Sequence, residues 1–326
     1  MPTTTRRKVL LRTAGAFAAS VALPRWALAQ GAPIRIVVGY APGGGTDRAA
    51  RLVAERLQAL LRRTVIVENR VGAGGRLAAQ QLVNTPADQT VLMVGNPAVM
   101  SVAPLVYNDL KYNVQKDFVP VTALTDYDFG VAVSSALPVK EVSHMMAWIR
   151  ANPEKANAGV PGTGSLPHFF VLMLSYMAQV KVEVVGYRGS APLLTDLMGG
   201  QIPMAFDTLD SLLPQHEGGK LRMLATSGAK RSPFSPGVPT FREQGLPLQA
   251  TGWNTLFAPS TTPKATVDLL ARTVQQIMSE SDTRAKFTAA KMVPMAMTQA
   301  QTASMLRAFD AQWSPVIKRS GFKPES

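Results

Sequence analysis

A short apolar run that stops at three successive glycines and resumes as a helix constrains this chain more than any other feature. Ile34, Ile36, Val37 and Val38 have the apolar density of a strand covered on both faces. Pro42 and Gly43 to Gly45 break that strand and admit backbone conformations closed to other residues. Thr46 and Asp47 are capping residues, and Ala49, Ala50, Leu52, Val53, Leu57 and Leu60 mark the apolar face of the helix that follows. A glycine turn leading into a helix aims several free N–H groups at one spot, and such a spot attracts anions. Residues 34–47 therefore predict a wall that receives a carboxylate, with a second wall built opposite by the rest of the chain.

The residues before this stretch read as an address. Arg6-Arg7-Lys8 precede an apolar core from Thr13 to Leu23, and Ala27-Leu28-Ala29 has the small residues of a cleavage site. The pattern resembles a twin-arginine leader over residues 1–29; the general secretory route is the other reading. The apolar run is too short to span a bilayer, so the expectation is export to the periplasm and cleavage near Ala29. Gln30, not cysteine, follows Ala29, so no lipid anchor is expected. The formal charge of +13 includes Arg6, Arg7, Lys8, Arg12 and Arg25 of a leader without acids, leaving +8 beyond it. No basic run with interleaved aromatics follows, which argues against nucleic-acid binding. With no cysteine and three scattered histidines, thiolate chemistry is excluded and no metal or cofactor site is expected.

Beyond the first helix the order is βαβ, which implies a parallel sheet. Thr64 to Asn69 is a strand, Gly72 to Gly75 a second glycine turn and Arg76 to Val83 a helix. That turn departs from the dinucleotide fingerprint at Leu77, and it reads either as helix entry or as ligand lining. Thr90 to Val94 is a strand that ends at Gly95-Asn96-Pro97. Val119 to Leu124 and Phe129 to Val133 read as two further strands near a crossing into a second domain. The second half repeats the logic. Strand 156–160 leads to Gly162-Thr163-Gly164-Ser165 and helix 166–178; strand 182–187 leads to Arg188-Gly189-Ser190 and helix 191–198; strand 202–206 ends at Asp207. Thr251 to Ala258 is the return crossing, and residues 264–321 are helical with an interruption at Val293-Pro294. Two α/β lobes facing each other are the layout of a closing cleft. The expected boundaries are 30–129 with 254–326 for lobe 1, and 130–253 for lobe 2.

Several segments, in this order, resemble one family. They are Tyr40-Ala-Pro-Gly-Gly-Gly-Thr-Asp47, Glu68-Asn-Arg-Val-Gly-Ala-Gly-Gly75, Lys116-Asp-Phe-Val-Pro-Val121, Gly162-Thr-Gly-Ser165 with His168, Tyr187-Arg-Gly-Ser-Ala-Pro192, Asp196-Leu-Met-Gly-Gly200, Pro239-Thr240 through Gly245, and Gly252-Trp253. Together they are similar to the Bug or TctC-type substrate-binding receptors of tripartite tricarboxylate transporters. The resemblance implies an α/β, two-lobed type II periplasmic-binding-protein fold with the ligand cleft between the lobes. It implies a monomeric receptor that captures a small carboxylate and delivers it to membrane permease subunits, or that presents its closed form to a membrane sensor kinase. Carried over residue by residue, the ligand shell is Tyr40, Pro42, Gly43, Gly44, Asp47, Gly162, Thr163, Ser165, Arg188 and Asp207. Arg188 stands where the family usually has lysine, and Tyr40 where phenylalanine is common. Asp47 keeps two readings, a helix cap and a ligand contact.

A hydrolase is the rival class, with Ser165, His168 and Asp207 as nucleophile, base and orienter. Against it, Ser165 suits an N-cap, there is no G-x-S-x-G elbow, and Ser and His one turn apart on one helix rarely align for attack. The expectation is therefore a binding protein, not an enzyme.

Overall fold

The computed structural model describes residues 32–320, 322 and 323; the leader and its cleavage site lie outside them. Ten strands form one sheet in the order β2-β1-β3-β9-β4-β7-β5-β6, with β8 and β10 also paired to β4. In one half, β1 (Ile34–Val38) lies parallel to β2 (Val65–Asn69) and β3 (Val91–Gly95). In the other, β5 (Asn157–Val160) lies parallel to β6 (Glu183–Gly186) and β7 (Met204–Thr208). Two long antiparallel strands, β4 (Phe118–Ser134) and β9 (Thr251–Pro259), run between these halves.

Strand β4 corrects the sequence reading, which broke it into two. Thr125 to Asp128 continue the strand and pair with Asn254 back to Thr251. Within this stretch Thr125, Tyr127 and Phe129 are buried while Asp126 and Asp128 are half-buried, the period of two that a sheet requires. Asp126 and Asp128 interrupt the apolar run without interrupting the strand. Up to Asp128 the strand pairs with β9; from Phe129 it pairs with β7 and with β8 (Leu221–Thr226). One strand therefore belongs to both halves. Pro120, which cannot donate to a ladder, sits where the register to β9 shifts. The interruption expected at Val293-Pro294 is a two-residue strand, β10, against Thr125 and Asp126.

Helices cover the sheet as their apolar phases dictate. Helix α1 (Gly45–Leu61) buries Ala49, Ala50, Val53, Ala54 and Leu57, spaced three and four apart, and ends at Arg62 in the left-handed region. It packs with β1 and with Val267, Leu270, Val274 and Ile277 of a later helix, Lys264–Ser279. In the other half α2 (Leu166–Ala178), α3 (Ser190–Met198) and α4 (Leu209–Glu217) each follow a strand of that half. Leu193, Leu197, Leu209, Leu212 and Leu213 form a core there with Ala205 and Met223. Phe170, Phe206 and Phe241 stack on one another, with ring centroids 5.9 to 6.2 Å apart. Such aromatic contacts contribute beyond the area they bury.

Candidate functional site

The carboxyl ends of β1 and β3 face the starts of α2, α3 and α4 across a cavity of about 60 Å³. A single water occupies roughly 10–15 Å³ on the same scale, so the space suits several waters or a small organic molecule. Its lining comes from both halves of the sheet: Tyr40 and Gly44 to Asp47 from the first glycine turn, Asn96 after β3, Tyr127 and Phe129 from β4, Asn254 from β9, and Ser165, Ser190, Asp207, Thr208 and Asp210 from the opposite wall. Strand ends collect these residues because ligands in open α/β sheets sit beside carboxyl ends.

The first wall follows from backbone geometry. Gly43 has φ +91°, a conformation an L side chain rarely adopts, and this turns the chain so that Gly44 becomes the N-cap of α1. Gly44 has no side chain to cap with, and the first turn of a helix leaves its N–H groups without helical partners. The Asp47 carboxylate is held by donors of the protein itself. It accepts the Gly43 N–H at 2.9 Å, the Arg51 guanidinium at 2.9 and 3.0 Å, and the Asn69 amide at 2.8 Å. Burial opposes its charge, but these donors outweigh burial and hold its pKa below the ordinary value. Asp47 locks the turn, and the Gly43 amide is used inside the protein. Tyr40 donates to the Gly74 carbonyl at 3.1 Å and lies 3.3 Å from Asn96 Oδ1. Burial pushes its hydroxyl up to about 12, so it is a neutral donor at physiological pH. Residues Gly72 to Gly75 are thus backing for Tyr40, not part of the lining.

The second wall is acidic. Asp207 is fully buried; its Oδ1 accepts the Thr208 N–H at 2.7 Å, while Oδ2 has no partner in the protein. Burial pushes its pKa up to about 7; Asp210 adds to the rise, and the Ser190 hydroxyl, the Thr208 amide and Arg48 pull it back. Ser165 stands at the N-cap position of α2 but makes no capping bond, and its buried Oγ is also unpartnered. His168 does not serve Ser165 as a base. Its Nδ1 accepts the Gly164 N–H at 3.0 Å, and burial lowers its pKa to about 4. The three residues of the hydrolase reading therefore form no relay.

The two walls touch. Arg48 on α1 donates to the Asp210 carboxylate, to the Asp210 carbonyl at 2.9 Å and to the Gly43 carbonyl at 3.1 Å. The Ala41 N–H donates to the Arg188 carbonyl at 3.3 Å. Gly45 is the glycine this contact requires, since a Cβ there would lie 2.4 Å from Asp210 Oδ2. At Gly44 a Cβ would have ordinary contacts, the nearest 3.8 Å away at Ser190 Oγ.

Of the ten residues expected from the sequence, Tyr40, Gly44, Asp47, Ser165 and Asp207 line the cavity. Pro42, Gly43, Thr163 and Arg188 are exposed, and buried Gly162 packs behind Tyr40; these five are outside the lining. The turn that aims Gly44 inward turns Pro42 and Gly43 outward, and Arg188 meets the first wall through its carbonyl. Lining residues absent from that expectation include the polar or aromatic Thr46, Asn96, Tyr127, Phe129, Ser190, Thr208, Asp210 and Asn254. Ser190, Thr208 and Asp210 carried a readable signal, because each sits where a strand hands over to a helix. Among the described residues, no group of three His, Asp or Glu side chains is placed to hold a metal ion.

Comparison with known proteins gives one answer. The family model described as tripartite tricarboxylate transporter family receptor, TctC, matches residues 49–322. A UPF0065 protein of Bordetella bronchiseptica is 33% identical over 298 residues, 90% of this chain and 87% of its own. The structure of an R. palustris protein with adipate superposes with a TM-score of 0.86 at 31% identity, covering 90% of this chain and 98% of that one. The periplasmic binding protein BugD superposes with a TM-score of 0.84 at 26% identity, covering 90% and 99%.

Proposed function

The chain belongs to the tripartite tricarboxylate transporter receptor family, and from that premise we propose that it captures a small carboxylate between two closing lobes and hands it to the membrane permease subunits of such a transporter. The family is one of periplasmic solute-binding receptors, not of enzymes. Its two-lobed α/β fold is that of this protein, and no described helix is long and apolar enough to cross a membrane. The lobes are assigned as 30–129 with 254–326, and 130–253, joined where β4 changes partners at Asp128–Phe129 and where the chain returns into β9. The observation that carries the reading is the cavity itself: an uncapped helix N-terminus on one wall and unpartnered buried polar atoms on the other, joined by direct bonds between walls. Backbone donors fixed before binding leave little ordering cost when a carboxylate arrives. The adipate-bound relative supports the same ligand class.

Ligand-binding roles are assigned to Gly44, Thr46, Ser165, Ser190 and Asp207, with Tyr40 and Asp47 shaping the first wall. The test combines calorimetry and solution scattering over a panel of mono- and dicarboxylates, with uptake of the labelled acid by cells with and without the gene. Saturable binding with compaction of the particle, and uptake that disappears with the gene, are the expected results. Binding without compaction removes the closing cleft; binding and compaction with unchanged uptake remove the transporter hand-off.

A further inference from the structure

Three carboxyls line the cavity, and their partners differ. Asp47 is surrounded by donors from Arg51, Asn69 and Gly43. Asp210 is held by Arg48. Asp207, on the same wall, has no cation bonded to it, and its Oδ2 is buried without any protein donor. Ser165 Oγ, from the adjacent start of α2, is the second unpartnered atom in the lining. A buried carboxylate oxygen left this way costs free energy, and a donor arriving there recovers it. The groups that set the field around Asp207 are Asp210 on α4, Arg48 on α1, Tyr127 on β4 and the Ser190 hydroxyl on α3. Arg48 pairs with Asp210 and stands outside the lining, so a second negative charge on the ligand would enter a wall of acids with no guanidinium among the lining residues.

We infer that the ligand is a small monocarboxylate whose far end is a hydrogen-bond donor, a hydroxyl or an ammonium group, received by Asp207 Oδ2 and Ser165 Oγ. This rests on the carboxylate-receptor reading above and names the ligand's second functional group. The acid end meets the α1 N-terminus, where the helix dipole favours negative charge; the donor end meets the acidic wall. A dicarboxylate enters only with a proton, held by Asp207 or by its own far carboxyl. Because burial already brings Asp207 to about 7, that proton is accessible in mildly acidic solution and scarce in alkaline solution. The sign is fixed: diacid binding weakens as pH rises through that value, and binding of an ω-ammonium acid strengthens.

The experiment uses unbranched acids of three to six carbons in four versions: plain acid, ω-hydroxy acid, ω-amino acid and diacid. Calorimetry at pH 5.5 and 8.5 is done on the wild-type protein, Asp207→Asn and Ser165→Ala. At pH 8.5 the ω-hydroxy or ω-amino acid of fitting length is expected to bind at least tenfold tighter than the diacid of equal length. Asp207→Asn should remove the ammonium preference and the pH dependence. Titration of the wild type in buffers of different ionisation heat should show about one proton taken up per diacid bound at pH 8.5, and this count decides the matter even if Asp207→Asn does not fold. A diacid that binds at least as tightly as its donor-ended counterparts at pH 8.5, with no proton uptake, overturns the inference and leaves the receptor reading standing. If no member of the series binds at either pH, both fall.

Discussion

Replacing Arg48 by Met removes the charged bond between the walls while keeping an unbranched apolar stem. Arg48 is 32% exposed and Asp210 is 2% exposed, and Asp210 lines the cavity close enough to Asp207 to raise the pKa of Asp207. Without the guanidinium, closing the cleft buries two acids with no counter-charge. Breaking a fully buried pair costs about 3–5 kcal/mol. Water reaches a third of Arg48, which screens the interaction, so about 2 kcal/mol is the better figure here. At 1.4 kcal/mol per tenfold, ligand affinity should fall roughly 30-fold. Because the loss belongs to the unpaired acid, Arg48→Met with Asp210→Asn should recover most of it; the amide needs no cation. The assay is calorimetry with whichever acid of the panel binds the wild type, on both singles and the double. Wild-type affinity in Arg48→Met, or a double variant weaker than the single by the sum of both effects, would refute closure through this pair.

Three further outcomes are expected. Gly45→Ala places a methyl 2.4 Å from Asp210 Oδ2 and should weaken binding at least tenfold with little change in melting temperature, and Gly44→Ala, whose methyl meets only ordinary contacts, should leave the melting temperature unchanged; calorimetry and thermal melting check them. His168 is buried and neutral with a pKa of about 4, below its ordinary value, so its contribution is complete above about 6.5 and is lost as pH falls toward 4. Melting temperatures from pH 7 to 4.5 should therefore fall by the equivalent of about 2–3 kcal/mol, and His168→Gln, which keeps an acceptor for the Gly164 amide, should flatten that fall. Cell fractionation followed by N-terminal sequencing should find the protein in the periplasm beginning at or near Gln30; a full-length product in the cytoplasm would contradict the leader reading.

Local pattern decided much of this protein. Residues 34–61 spell a buried strand, a glycine turn and an amphipathic helix, and each is in the structure because each rests on chemistry between near neighbours: apolar spacing and the conformational freedom of Gly43. The repetition of strand, small-residue turn and helix in the second half was legible for the same reason. Strand β4 was half legible, since Asp126 and Asp128 interrupt its apolar run until β9 and β10 lie beside them and their alternation becomes an outer face. Which polar residues meet was a tertiary decision. Gly45 is required by Asp210, which lies 165 positions away, and Arg48 is matched to the same carboxyl. Nothing in the spacing of Thr163, Ser165 and Arg188 says that the first and last face solvent while the middle one is buried without a partner. Position along a chain fixes which groups share a strand end, but the direction each faces depends on the turn that carries it and on the wall brought opposite, and that wall exists only once the sheet has assembled.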